Sequence, residues 1–164
     1  MILYIIRHAW AAERTDPAWQ TDEARPLTEE GIARFTQMIQ ILAERDFAPE
    51  LIATSPLVRC RQTAEIIAQI VPGRPKVAER DELAPGSDLH GLVKWTIRQA
   101  ADCKEVAWVG HAPDVTHLAA AMVGDARGAI RFPKGGIAAI EFEDVPRIGQ
   151  GELRWLVSAK VLGC

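Results

Sequence analysis

Two histidines and two arginines have the kinds of side chain that bind and transfer phosphoryl groups. Arg7 and His8 directly follow an apolar run, Arg59 lies at the start of a helical stretch, and His111 follows Gly110 at the end of another apolar run. A neutral imidazole is a nucleophile near neutral pH, since its ordinary pKa is about 6.5. A guanidinium donates parallel hydrogen bonds to phosphoryl oxygens. The four side chains together predict a cationic site for phosphoryl transfer.

The positive charge of this group has two predicted effects. Neighbouring cations lower the pKa of His8 and keep it unprotonated, and they stabilise the charge of a phosphoryl group in transfer. We expect Arg59 to face the site, because it lies in the first turn of a helix whose N-terminus attracts phosphate. Arg61 is about 200° further around that helix and is expected at the surface, although the sequence alone does not choose between the two.

Each of these residues also has a purely structural interpretation. Arg7 and His8 could cap the end of a strand, and His111 could stabilise a strand-to-helix junction. His90 and His117 fall inside predicted helices and receive no role. The chain has no histidine pair at zinc-ligand spacing, so we expect no metal and no other cofactor at the site.

The elements that must position these side chains are short apolar runs that alternate with amphipathic segments. Strands are predicted over residues 2–6, 51–53, 76–79, 105–109, 137–142 and 152–157. Four helices are predicted between them, with inward faces at Ile32, Phe35, Ile39 and Leu42, at Cys60, Ala64, Ile67 and Val71, at Leu89, Val93, Ile97 and Ala100, and at Val115, Leu118 and Met122. Thr28 is the predicted N-cap of the first helix, and Ser55 with Pro56 is predicted to start the second.

This order of elements predicts a three-layer α/β/α fold, with a mostly parallel mixed sheet and helices on both faces. Such sheets bind ligands beyond the carboxyl ends of their strands. The strands that end at Arg7-His8, at Thr54-Ser55 and at Gly110-His111 therefore predict one shared site at that edge. A length of 164 residues predicts a single domain over 1–164.

Three sequence blocks resemble those of the histidine phosphatase superfamily, which includes the phosphoglycerate mutases. The blocks are Leu3–Ala9, Ala53–Ala64 and Gly110–Pro113. Further segments are similar to the SixA-type phosphohistidine phosphatases of that superfamily, at Arg25–Gly31, Glu82–Asp88, Gly135–Ile140 and Leu153–Trp155. The resemblance covers Ile2 to about Trp155, and it implies a phosphoglycerate mutase-like fold.

The resemblance also implies a role for each residue of the site. His8 would be the nucleophile that becomes phosphorylated, and water would then release phosphate from it. Arg7, Arg59 and His111 would bind phosphate and stabilise its transfer.

Two positions depart from the family's pattern. Ala9 stands where the first block usually has glycine, and Ala112 stands where Asn often follows the second histidine. Alanine adds only a methyl group and is tolerated where φ is negative. Neither departure removes a charge, so we still expect an active enzyme.

The general acid is the least defined part of the predicted site. Superfamily members that cleave sugar or glycerate phosphates use a carboxylic acid, and Glu82 lies in about the matching stretch, with Asp81 and Asp88 nearby. These carboxylates could instead be solvated loop charges. SixA-type proteins are described as lacking a clear acid, which suits phosphohistidine because an imidazole departs with less help than an alkoxide. A small phosphomonoester remains the alternative substrate.

Composition limits the partners and the location. A net charge of -3 without a Lys/Arg cluster gives no nucleic-acid surface. No apolar stretch approaches the roughly 18 residues that cross a bilayer, the N-terminus does not resemble a signal peptide, and three widely spaced cysteines suit a reducing compartment. We expect a cytoplasmic protein that acts on a phosphorylated protein or a small phosphorylated metabolite. A binding module that holds phosphate without turnover is the alternative to an enzyme.

Residues near the first block complete the prediction. Arg25 stands at the rim of the site or, as we favour, pairs with Glu29 or Glu30. Trp10 and Trp19 could line an approach surface. Two further tryptophans are assigned to the core, namely Trp108 and Trp155.

Overall fold

The computed structural model describes residues 1–15, 18–99, 103–125 and 130–164. Within these ranges, strands and helices alternate in the predicted order, and two short 3₁₀ turns cover Asp81–Leu83 and Ala159–Leu162. The regular elements are β1 (Ile2–Arg7), α1 (Glu29–Ala43), β2 (Leu51–Thr54), α2 (Val58–Ile70), β3 (Lys76–Glu79), α3 (Leu89–Gln99), β4 (Glu105–Gly110), α4 (Asp114–Met122), β5 (Ile137–Glu141) and β6 (Glu152–Val157). None of the helices described is long and apolar enough to span a membrane.

The strands form one mixed sheet in the order β3-β2-β4-β1-β5-β6. The pairs β2–β3, β2–β4 and β1–β4 are parallel, whereas β5 is antiparallel to both β1 and β6. Parallel neighbours require long crossover connections, which the helices provide. The predicted α/β fold with a terminal antiparallel strand pair is confirmed.

The two faces of the sheet bury different helices. Along β1, Tyr4 and Ile6 join the core beneath α1 and α2, whereas Leu3 and Ile5 join the core beneath α3 and α4. This division follows from the alternation of side chains along a strand. All four residues are at most 2% exposed, so the central strand is covered by helices on both faces.

The predicted inward faces of α2 and α4 are confirmed. Each of their predicted residues is at most 2% exposed, namely Cys60, Ala64, Ile67, Val71, Val115, Leu118 and Met122. In α3, however, Leu92 and Thr96 are buried and Ile97 is exposed. The indole N–H of Trp108 donates to Thr96 Oγ1 at 3.0 Å, so a buried hydrogen bond turns Thr96 inward. The predicted contact at Ala100 lies outside the described residues.

The start of α1 packs closely against the chain that follows β1. Thr28 is the N-cap, as predicted, because its Oγ1 accepts the N–H of Gly31 at 3.0 Å. A Cβ on Gly31 would lie 2.4 Å from the carbonyl oxygen of Trp10, so only glycine allows this approach. Met38 is buried in this helix, and Ile32, which was predicted to face inward, is exposed.

Two other expectations were wrong. Helix α2 begins at Val58 with Leu57 as its N-cap, not at Ser55-Pro56, because Leu57 has an extended backbone (φ -69°, ψ 137°). Trp155 is 36% exposed because β6 is an edge strand, although its ring packs 5.9 Å from that of Tyr4. Trp108, by contrast, is fully buried, as predicted.

Candidate active site

The carboxyl ends of β1, β2 and β4 lie side by side at one edge of the sheet. His8 N–H donates to the Gly110 carbonyl at 3.0 Å, and Ser55 N–H donates to the Val109 carbonyl at 3.0 Å. These backbone hydrogen bonds continue the parallel pairing past the strand ends. They place the side chains that follow each strand next to one another, with the rings of His8 and His111 5.4 Å apart.

His8 is held in a single neutral form. Its Nδ1 lies 2.7 Å from the Ala9 carbonyl oxygen, which can only accept, so Nδ1 carries the proton and Nε2 keeps the lone pair. Burial lowers the pKa of His8 to about 3; the Ala9 hydrogen bond opposes this shift, and the charges of His111, Arg59 and Arg7 add to it. The predicted lowering is therefore present, but burial is a larger cause than the cations.

His111 is held in the opposite tautomer. Its Nδ1 lies 3.2 Å from Nη2 of Arg59, and a guanidinium can only donate, so Nδ1 accepts. Nε2 therefore carries the proton and donates to Ser55 Oγ at 2.8 Å. Burial first, and then the charge of Arg59, lowers the pKa of His111 to about 4. Both histidines are thus neutral near pH 7.

Of the two arginines of α2, one faces the site and the other lies at the surface, as predicted. Arg59 is 3% exposed and faces the two histidines. The side chain of Arg61 is 41% exposed and pairs with Glu79 at 3.4 Å. Rotation around the helix separates the two guanidiniums, so only Arg59 reaches the site.

Two guanidinium nitrogens at this edge have no hydrogen-bond partner in the part of the chain that the structure describes. Among the described residues, Nε of Arg7 and Nε of Arg59 are buried and make no hydrogen bond. Arg7 Nη1 donates to the Phe132 carbonyl at 2.8 Å, which fixes that guanidinium. A buried N–H without an acceptor is costly, and a bound anion would supply the acceptor that the protein does not. The helix N-terminus contributes less than predicted, because the first amide of α2, at Val58, already donates to the Glu23 carbonyl at 3.1 Å.

Ser55 and Asp22 also contact the site, and the sequence analysis assigned neither of them to it. Ser55 was interpreted as a helix cap, although its place at the end of β2 was a usable signal. Asp22 had no such signal, because it lies in an irregular loop. Its carboxylate contacts Arg59 Nη2 at 2.9 Å and Arg25 Nε at 3.1 Å. Burial alone would raise the pKa of Asp22, but these two guanidiniums and Arg14 hold it below its usual range.

Arg25 therefore lies at the rim through contacts that differ from those predicted. It pairs with Asp22 rather than with Glu29 or Glu30, and its Nη1 donates to the Ala12 carbonyl at 2.7 Å. Its side chain is 13% exposed. The irregular chain before α1 thus folds back onto the site, which sequence proximity to Glu29 did not reveal.

Glu82 lies in the 3₁₀ turn after β3, where the N–H of Arg80 donates to the Thr54 carbonyl at 2.8 Å. Both carboxylate oxygens of Glu82 contact the Arg80 guanidinium, at 2.5 and 3.1 Å. This hydrogen-bonded pair lowers the pKa of Glu82, whereas a general acid at neutral pH needs a raised one. Asp81 is exposed, and Asp88 Oδ1 accepts the N–H of Gly91 at 3.0 Å at the start of α3.

The remaining candidates lie around the site or at the surface. Trp10 stacks on Arg34, whose guanidinium carbon lies 4.4 Å from the ring centre. Trp19 is 37% exposed and lines a cleft of about 120 Å³ beside Asp22. His90 and His117 are exposed, as expected for residues without a role. No group of three or more His, Cys, Asp or Glu side chains in the described ranges is placed to hold a metal ion.

Comparison with known proteins identifies the family. The sequence model described as "Histidine phosphatase superfamily (branch 1)" matches residues 3–125. The chain belongs to the histidine phosphatase superfamily. It is also 39% identical over 140 residues to an uncharacterized protein of Picosynechococcus sp., a match that covers 84% of this chain and 82% of the relative.

Several solved structures share this fold. The protein histidine phosphatase SixA, complexed with tungstate, aligns with a TM-score of 0.85 at 24% identity over 99% of each chain. The putative phosphohistidine phosphatase SixA from Agrobacterium tumefaciens aligns at 0.75 with 25% identity, over 96% of this chain and 97% of that one. A putative alpha-ribazole-5'-P phosphatase from Escherichia coli aligns at 0.68 with 19% identity, over 97% and 98%.

These comparisons confirm the resemblance that the three sequence blocks indicated. The α/β architecture is phosphoglycerate mutase-like, and membership of the superfamily supports a phosphatase. The structural neighbours differ in the substrates that their names give, which include a phosphohistidine and a small phosphorylated metabolite.

Proposed function

We propose that this protein is a metal-independent phosphatase that removes phosphate from protein phosphohistidine through an intermediate on His8. The observation that carries the proposal is the buried neutral His8, with its lone pair on Nε2, beside His111 and two arginines whose Nε atoms have no partner among the described residues. This arrangement offers a nucleophile and an anion cradle together.

The reaction would have two steps. In the first, Nε2 of His8 attacks phosphorus, the bond between phosphorus and the substrate imidazole breaks, and its electron pair stays on the departing nitrogen. In the second, water attacks phosphorus, the bond between phosphorus and Nε2 of His8 breaks with its electron pair staying on Nε2, and the protons of the water leave with inorganic phosphate. Arg7 and Arg59 would hold the phosphoryl oxygens in both steps. His111 would donate its Nε2–H to the same oxygens once that N–H leaves Ser55 Oγ.

The ion pair of Glu82 favours phosphohistidine over an ester. A carboxylate held ionised by Arg80 is a poor proton donor. An alkoxide leaving group needs such a donor, whereas an imidazole does not need it to the same degree. The substrate that fits a weak acid supply is therefore a phosphoramidate on histidine.

The exposed rim supports a protein substrate. Trp19 and the side chain of Arg14, which is 76% exposed, lie beside Asp22 at the mouth of the site. We include in the proposal that the partner is a phosphorylated relay protein, and that this chain acts in the cytoplasm as a single domain.

A small phosphomonoester is the second candidate substrate. Glu82 lies on a turn beside the end of β2, close to where superfamily members that cleave esters would need an acid. If substrate binding separates Glu82 from Arg80, the carboxyl group becomes available as a donor. The third candidate is a module that binds phosphate without turnover.

One experiment separates the three. The protein is incubated with a phosphohistidine-bearing relay domain and, separately, with p-nitrophenyl phosphate, in the presence of a chelator. The reaction is quenched without acid, and mass spectrometry locates phosphate on the protein. The His8→Ala variant is the control for the site of labelling.

We expect phosphate on His8 in the unmodified protein, none in His8→Ala, and faster release from the relay domain than from the ester. Faster release from the ester would make the small-molecule candidate correct. Binding of phosphate or vanadate without any label on His8 would replace the enzyme with the binding module.

A further inference from the structure

Arg59 has two edges at which it can donate paired hydrogen bonds, and the protein uses them differently. One edge lies between Nη1 and Nη2, and the other lies between Nε and Nη2. Nη1 donates to the backbone carbonyl of Asp22 at 2.7 Å, and Nη2 donates to its Oδ2 at 2.9 Å. The first edge is therefore occupied by a single residue, through both its backbone and its side chain.

The second edge faces the histidines. Nη2 also contacts His111 Nδ1 at 3.2 Å, and Nε, on the same edge, is buried without a partner in the described part of the chain. Paired donors on one edge match two oxygens of a phosphoryl group. Both N–H groups of Nη2 are in use, one by Asp22 and one by His111, so a phosphoryl group would replace Nδ1 of His111 on this edge and take Nε as the second donor. The contact with Asp22 keeps this edge on the side of His111.

We infer that Asp22 is a positioning residue that acts through Arg59 and sets the affinity of the site for phosphate. The inference deepens the proposed function, because it rests on Arg59 as the phosphate-binding arginine. A guanidinium without Asp22 would rotate about its side-chain torsions and lose the preorganised edge. The carboxylate also opposes the lowering of the Arg59 pKa by burial.

A merely structural role for Asp22 makes a different prediction. Asp22 also pairs with Arg14 and Arg25, and it could act only by fastening its own loop. In that case its removal would lower the stability of the protein and leave the phosphate affinity of folded molecules unchanged. Arg14→Ala is the matched control, because it removes an exposed ion pair with the same carboxylate and leaves Arg59 untouched.

The test measures the dissociation constant of inorganic phosphate by calorimetry, and the ¹H–¹⁵N signal of Arg59 Nε, in Asp22→Ala, Asp22→Asn and Arg14→Ala. We expect Asp22→Ala to weaken phosphate binding about tenfold and to broaden the Arg59 Nε signal. Asp22→Asn keeps an acceptor oxygen and should fall between Asp22→Ala and the unmodified protein. Arg14→Ala should stay within about twofold of the unmodified protein.

A double-mutant cycle decides whether the effect passes through Arg59. In the Arg59→Ala background, Asp22→Ala should cause no further loss of phosphate affinity. An equal loss in both backgrounds, or unchanged or tighter binding in Asp22→Ala alone, would overturn the inference. If Asp22→Ala does not fold, Asp22→Asn carries the same comparison. The Arg59 Nε signal reports the positioning even if His8 never becomes phosphorylated, so the two proposals fail separately.

Discussion

The pocket and the rim of this site differ in what sets the pKa values of their titratable groups. In the pocket, defined by His8, Arg59 and His111, every residue is at most 7% exposed, and burial is the largest influence on each shifted pKa. At the rim, the side chains of Asp22 and Glu82 are 28% and 23% exposed. Burial would raise the pKa of Asp22, but its arginine partners lower it, and the hydrogen bonds with Arg80 lower the pKa of Glu82.

This difference suits the pocket to nucleophilic attack and the rim to the orientation of an arginine. A buried neutral imidazole is available as a nucleophile without first losing a proton. A rim carboxylate that is ionised by its partner cannot donate a proton, but it can orient the arginine to which it binds. The pocket therefore holds the groups that could react with a phosphoryl group. The rim carboxylates could affect those groups only through their contacts with arginines, and a substrate could change these contacts.

The largest expected effect is the loss of the nucleophile. His8→Asn should lower the rate of phosphate release from a phosphohistidine domain by about 10³-fold or more, because the proposed reaction passes through Nε2 of His8. Single-turnover assays with the chelator present measure this rate. Retention of more than about a tenth of the activity would mean that His8 is not the group that becomes phosphorylated.

The second effect contrasts two arginines of the same helix. Arg59→Ala should lower the same rate by about 10²- to 10³-fold, because it removes the buried cation that we propose stabilises the phosphoryl group. Arg61→Ala is the matched control, since Arg61 pairs with Glu79 at the surface, and it should change the rate less than about twofold. Equal losses in the two variants would contradict the assignment of Arg59 to the pocket.

The third effect concerns stability and pH. Folded His8 and His111 have pKa values of about 3 and about 4, below the value of about 6.5 expected in the unfolded chain. Between these values the unfolded chain binds more protons, so stability is lost as the pH falls below 6.5. At pH 5 each histidine should cost up to about 2 kcal/mol relative to pH 7.

Urea unfolding at pH 7 and pH 5 measures this cost. His8→Asn should lose less stability between the two pH values than the unmodified protein. His90→Asn serves as the control, because His90 is exposed, and it should match the unmodified protein. The same loss in all three proteins would show that burial of His8 does not set its protonation.

The smallest effect tests the rim. Glu82→Gln should change phosphohistidine turnover by less than about threefold, because an ionised carboxylate paired with Arg80 gives no proton to the leaving group. Turnover of p-nitrophenyl phosphate is measured beside it. A loss of tenfold or more with phosphohistidine would mean that Glu82 leaves Arg80 and acts as the acid.

The pocket could be anticipated from the sequence more fully than the rim. Strand ends are visible as apolar runs that stop at polar residues, and parallel strands bring such ends to one edge. The strand ends therefore predict that His8, Arg59 and His111 lie together, and in the structure they do. Ser55 was visible at the same edge, but a hydroxyl next to Pro56 is also a common helix start, and this interpretation was wrong.

The sequence by itself determined the order of the elements, the mixed sheet and the edge at which the site lies. Residues close together in the sequence set the type and length of each strand and helix, and the hydrophobic periodicity of each segment shows which it is. The order of these elements then predicts the sheet and the edge where the strands end. Only the tertiary structure decided that Asp22 rather than Glu29 holds Arg25, that Glu82 pairs with Arg80, and which tautomer each histidine adopts. Those outcomes depend on loops that return from distant parts of the chain and on the degree of burial, and neither is encoded in local spacing.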